Sequence, residues 1–210
     1  MPQITRDSLM TLEDYARARP RFRAEVMAHK KNRTLELGGH VTLIFEDELT
    51  IRYQIQEMLR TERVFEDSGI QGELDAYNPL IPDGANWKAT LMIEYPDVDE
   101  RHRMLARLIG IEDRIWVQVE GLARVYAIAD EDLERDNAEK TSAVHFLRFE
   151  LDSAMVQALK KGAALAVGVD HPAYSATVGA VDPAVRASLV NDLEPVSPVG
   201  GTLRPVVQVS

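Results

Sequence analysis

The residues of this chain that could carry chemistry are histidines and carboxylates standing on otherwise apolar faces. Over 47–63, read at about 100° per residue, Ile51, Ile55, Met58, Leu59 and Phe65 share a stripe with Glu62 near its centre. A carboxylate so placed must find a hydrogen-bond partner, bind a cation or take up a proton, unless the helix has already ended. Tyr53, Glu57 and Arg60 gather on the opposite side, as a solvated face or a polar constellation. Further along, Val98, His102, Leu105 and Ile109 stack at helical spacing, which puts His102 in or beside a buried stripe. His145 alternates in phase with Ala143, Leu147, Phe149 and Leu151, while Arg148 and Glu150 share the other strand face with Val144 and Phe146. His171, in Asp170-His171-Pro172, closes a strand at a loop. Two or three of these histidines meeting Glu62, Glu94 or Glu150 would form a two-histidine, one-carboxylate site for non-haem iron. The ligand spacing is nowhere local, and each histidine has an ordinary core reading beside the metal one.

The elements that must position these groups are legible in outline. Thr11 with Glu13 and Asp14 opens a short helix, and Pro20 suits the first turn of a second one to about Lys31. Leu35 to Leu37, Gly38-Gly39 and Val41 to Phe45 read as a hairpin. A helix follows from Asp47 to about Arg63, then turn chemistry at Asn78-Pro79 and Pro82-Asp83-Gly84. Ala89 to Tyr95 alternates as a strand, Asp97 caps a helix closed by Gly110, and Ile115 to Val119 pairs with Val125 to Ala129. Asp130 caps a short polar helix. The strand Ala143 to Leu151, a helix stopped by Gly162, the strand Ala163 to Val169 and a helix opened by Asp182-Pro183 complete the series. The expected fold is α+β, a mainly antiparallel sheet with flanking helices in one compact domain. Its expected parts are a basic helical segment 1–33, a core 34–193 and a Pro/Gly tail 194–210.

Composition narrows the function classes. The 210 residues are 45% hydrophobic and 28% charged, with 24 Lys and Arg against 34 Asp and Glu, a net charge of −10. An acidic surface is a poor match for phosphate neutralisation, so nucleic acid is not an expected partner. The absence of cysteine excludes disulfides, thiolate zinc sites, cysteine-ligated iron–sulfur clusters and a cysteine nucleophile. No phosphate loop, dinucleotide glycine turn, Gly-x-Ser-x-Gly elbow or His-Glu-x-x-His helix is present. With no secretory leader and no apolar run of about 18 residues, the expected address is the cytoplasm, with no membrane partner. Residues 1–33 carry eight basic and four acidic side chains, a docking surface for an acidic partner or a solvated helix face over the acidic remainder.

The run 46–60 around Ile51-Arg52-Tyr53-Gln54-Ile55-Gln56-Glu57 is distinctive. So are 73–82 with Tyr77-Asn78-Pro79-Leu80, 139–151 with His145-Phe146-Leu147-Arg148-Phe149-Glu150, and Gly168-Val169-Asp170-His171-Pro172. Together these resemble an uncharacterised bacterial family, the domain of unknown function numbered thirty-five-oh-one, over roughly residues 8–193. The resemblance implies genes set beside rubrerythrin-like di-iron proteins and iron–sulfur proteins similar to heterodisulfide reductase. It supplies no assigned catalytic residues.

Three functions are therefore weighed. The leading one is an accessory protein of a di-iron and iron–sulfur redox or oxidative-stress system, with those proteins as partners and homo-oligomers as a further possibility. The second is an iron- or manganese-dependent enzyme using His145, His102 or His171 with Glu57, Glu62 or Glu150. The third is a small-molecule-binding module, an apolar pocket with a few convergent polar groups, for which Tyr53, Tyr77 and Asn78 are the candidate lining.

Overall fold

The computed structural model describes residues 3–129 and 140–194. The helix expected after Asp130 and the tail beyond Glu194 lie outside the described residues. Helix starts are fixed by side chains: Thr11 accepts the Asp14 N–H to open α1 (Leu12–Lys30), and Asp47 and Thr50 cap each other to open α2 (Glu48–Glu62). Pro20 does not begin a new helix; it sits inside α1. It forfeits one donor there, but Tyr15 and Val26 on either side of it are both fully buried, so packing carries the helix through. A further helix, α3 (Asp67–Tyr77), runs into a tight turn at Asn78–Leu80. The remaining helices are α4 (Val98–Arg107), α5 (Ser153–Lys160) and α6 (Pro183–Val190), capped by Asp97, Asp152 and Asp182.

The strands make two antiparallel sheets of four rather than one. The first runs β1 (Thr34–Leu37), β2 (Val41–Glu46), β3 (Asn86–Ile93), β6 (Val144–Glu150) in spatial order. The second runs β5 (Arg124–Tyr126), β4 (Ile115–Val119), β7 (Leu165–His171), β8 (Tyr174–Val178). Period-two burial in both sheets turns Leu43, Leu91 and Phe149 of one and Val117 and Val167 of the other into a shared core. Trp87 lies in that core and donates from its indole nitrogen to the Leu189 carbonyl on α6, 2.9 Å away. The outer face of the first sheet is covered by helices, where Ile51, Ile55, Leu59, Ile70 and Leu74 pack together and Phe146 of β6 joins them.

The sheets also meet at their margins. Ile128, just past β5, exchanges both backbone hydrogen bonds with Arg148 on β6, at 2.8 and 2.9 Å. On the other side the Tyr174 hydroxyl of β8 donates to the Leu37 carbonyl of β1 at 2.5 Å. Gly38 permits that approach: its φ is +72°, and a Cβ there would lie 2.5 Å from the Tyr174 oxygen. Among the described residues no helix is long and apolar enough to cross a membrane.

Candidate functional site

The helical layer does not close completely on the first sheet. Between them lies a cleft of about 220 Å³. Its floor follows from strand register: Ile44, Thr90 and Phe146 stand side by side across β2, β3 and β6, with Met92 and Val144 in the next row. Its roof is Ile51 and Gln54 of α2 with Tyr77 and Leu80, and Lys30 from the end of α1 stands at one side. The walls are thus mainly apolar. The polar exceptions are Lys30, Gln54, Thr90 and Glu46, of which Glu46, at the end of β2, is only 8% exposed. The Thr90 hydroxyl donates to its Oε1 at 2.6 Å. A buried carboxylate held by one donor, beside apolar walls, is an arrangement for orienting a small ligand. A larger hollow of about 540 Å³ lies between Gln3–Asp7 and α3, but its rim is the exposed side chains of Gln71 and Asp75.

The residues singled out from sequence fall into separate places. Glu57 receives Arg19 through two bonds, 2.7 and 2.8 Å, and the Tyr15 hydroxyl at 2.6 Å. Arg19 foremost, with Tyr15, holds its carboxyl well below the usual range, at about 2, against the opposing effect of burial. Burial and the Glu57 carboxylate push the Tyr15 phenol well up. Tyr53 is buried and meets Phe22 of α1 edge-on, and Arg60 is exposed. This constellation docks α1 on α2. Asn78 clamps the N-terminal segment, accepting from the Ile4 N–H and donating to the Ile4 carbonyl, both at 3.0 Å. Arg148 stands in the Glu46 row, across Lys88, on the same sheet face as the cleft, and pairs with Glu150, which meets Asn86 at 3.4 Å one row beyond. Of the expected lining residues, Tyr77 lines the cleft; Tyr53 and Asn78 do not.

The histidines do not converge with Glu62. His145 is buried on the core side of β6, its Nε2 within 2.9 Å of the Thr141 hydroxyl, 3.0 Å of the Ser142 carbonyl and 3.9 Å of Glu112. His171 sits at the β7–β8 turn, where Nδ1 accepts the Ala173 N–H at 3.2 Å and Nε2 lies 3.2 Å from the Ile109 carbonyl. His102 is exposed, contrary to the stripe reading. α4 buries Leu105 and, just past its end, Leu108, and Val98 and Ile109, which defined the expected stripe, are 52% and 43% exposed. Glu62 is likewise exposed because α2 stops there; Arg63 is left-handed at φ 55° and Phe65 is 72% exposed. Glu94 accepts from the Thr42 hydroxyl at 2.8 Å. Among the described residues, no three His, Asp or Glu side chains are grouped closely enough to hold a metal ion.

The chain matches the family model described as Protein of unknown function (DUF3501) over residues 3–193. It belongs to that family. It is similar to the crystal structure of a novel protein of unknown function from Burkholderia pseudomallei K96243, at 60% identity and a TM-score of 0.88. That likeness covers 92% of this chain and 100% of the other. No curated protein matches the chain. Three of the four segments that carry the family resemblance meet in the cleft: Glu46, Ile51 and Gln54 from the first, Tyr77 and Leu80 from the second, Val144 and Phe146 from the third. Sequence reasoning singled out neither Glu46 nor Thr90. The alternation Thr42, Ile44, Glu46 is the signal that sets a carboxylate on the same sheet face as an apolar side chain.

Proposed function

We propose that this protein is a ligand-binding accessory protein of a di-iron and iron–sulfur redox system. The observation that carries the binding reading is the cleft, in which segments from distant parts of the chain build apolar walls around one buried carboxylate. Such walls supply affinity and the few polar groups supply orientation. The charged groups that line it are the Glu46 carboxylate and the Lys30 ammonium, groups that can fix the orientation of a bound molecule. The redox assignment comes from the neighbourhood that the family resemblance implies, and it suits a chain with no cysteine to ligate a cluster.

Two measurements test this. Native mass spectrometry of freshly purified protein, with thermal shift against a metabolite library, is expected to find a small molecule that raises Tm by several degrees; a ligand at a hundred times its Kd adds about 2.7 kcal/mol. A bare chain mass and a flat library would sink the binding reading. Anaerobic co-purification with the rubrerythrin-like and heterodisulfide-reductase-like proteins of the same genome is expected to recover a complex. Recovery of neither would sink the redox assignment.

A further inference from the structure

Resting on that binding reading, we propose that the cleft takes a single-ring apolar molecule bearing a hydrogen-bond-donating head, an amine or a hydroxyl, which the Glu46 carboxylate receives. The volume of about 220 Å³ sets the size: it equals roughly seven waters at their liquid density, enough for one ring and a short chain. The register sets the orientation. Thr90 and Phe146 are paired across β3 and β6, and one strand step of two residues towards the end of β2 brings in Glu46, paired with Lys88. Those rows are about 7 Å apart, the reach of a two-carbon chain from a ring lying between Phe146, Met92 and Ile51. The head is set by the carboxylate, because an ionised carboxylate only accepts hydrogen bonds. Thr90 supplies a donor to Oε1, and Oε2 remains for the ligand. At Oε2 an amine head gains a charge-assisted bond and a hydroxyl a neutral one, whereas a carboxylate head meets like charge there and would have to turn to Lys30 at the side of the cleft or to Lys88 and Arg148 in the Glu46 row.

The test uses the full chain labelled at its methionine methyls, with the Met92 signal identified by Met92→Leu and followed by NMR. Phenethylamine, 2-phenylethanol and 3-phenylpropionate are titrated as probes that differ only in the head. The amine and the alcohol are expected to shift and saturate the Met92 signal, with the carboxylate about tenfold weaker than the amine or worse. Glu46→Gln is expected to weaken the amine about tenfold and leave the alcohol nearly unchanged. Equal binding of all three heads by the unaltered chain, which needs no variant to fold, overturns the assigned head while leaving the cleft as a binding site. If no probe moves the Met92 signal, the ring and head assignment is overturned, while the binding reading is decided separately by the native mass spectrum and the metabolite library.

Discussion

The Arg33 guanidinium and the Asp192 carboxylate, 159 positions apart in sequence, meet through two bonds of 2.5 and 3.2 Å. Arg33 is 1% exposed and spends its other donors on the Phe45 and Glu46 carbonyls and on Ser188, with Asp47 at 3.4 Å. One side chain thus ties the end of α1, the β2–α2 junction and α6 together. Asp192→Ala leaves a buried cation half satisfied and is expected to cost about 3–5 kcal/mol, read from urea denaturation. Arg33→Lys is expected to be nearly as harmful, because an ammonium cannot reproduce the planar fork. A loss below about 1 kcal/mol for both would mean the network is slack.

Glu57 gives the fold a pH dependence of known sign. Its carboxyl is held at about 2 in the folded chain by Arg19 and Tyr15, against an ordinary value of 4.5. The folded carboxyl is therefore depressed, so its contribution is complete above pH 4.5 and is lost as pH falls towards 2. Glu57→Gln lacks that contribution at every pH. The Tm gap between the native chain and the variant is expected to be widest near neutrality and to narrow through this window. A gap that stays constant down to pH 2.5 would show that Arg19 and Tyr15 do not hold the carboxylate.

On the outer face of the second sheet, Trp116 lies over Gly168 with the Arg124 guanidinium 3.8 Å from its ring, and Arg124 and Tyr126 both reach Asp170. A Cβ at 168 would stand 2.3 Å from Trp116 Cζ2 and 2.9 Å from the Ala176 carbonyl oxygen. Gly168→Ala is expected to destabilise by about 1–3 kcal/mol and to shift the tryptophan emission to the red as the ring is lifted. An unchanged spectrum with unchanged stability would show that the sheet yields without moving the ring.

Asn78 and Gln56 hold the N-terminal segment as a backbone partner would. Each side-chain amide both accepts and donates, Asn78 at Ile4 and Gln56 at Met10. Ile4 and Leu9 are buried under this grip. Asn78→Ala is expected to cost about 1–3 kcal/mol and to open 3–11 to proteolysis before the rest of the chain unfolds. Cleavage no faster than in the native chain would assign the hold to Ile4 and Leu9 alone.

Local alternation carried much of the fold in advance. Ala89, Leu91, Ile93 and Tyr95 share the buried face, and His145 is on the core side with Leu147 and Phe149, because a strand's period of two leaves little freedom. Gly69 and Gly72 mask α3 in the sequence, and β8 is a five-residue strand whose alternation, Tyr174, Ala176 and Val178 against Ser175 and Thr177, is legible but short. His102 departs from its spacing because Val98 and Ile109, which define the stripe, lie at and beyond the helix ends, where packing rather than periodicity decides burial. Of the cleft only Tyr77 is among the expected lining residues: Glu46, Tyr77, Thr90 and Phe146 come from four elements, and strand register and helix docking bring them together.

The seams between the sheets bear on what the molecule can join. A strand margin with unpaired N–H and C=O groups is a template on which another chain can grow, whether a partner's segment or a fibril. Here β6 is stitched to the end of β5 at Arg148, and β1 is closed by Tyr174 at Leu37. Among the described residues these crossings interrupt the even ladder that an incoming strand would need. Where the described margins are crossed in this way, growth of a ladder on them is disfavoured.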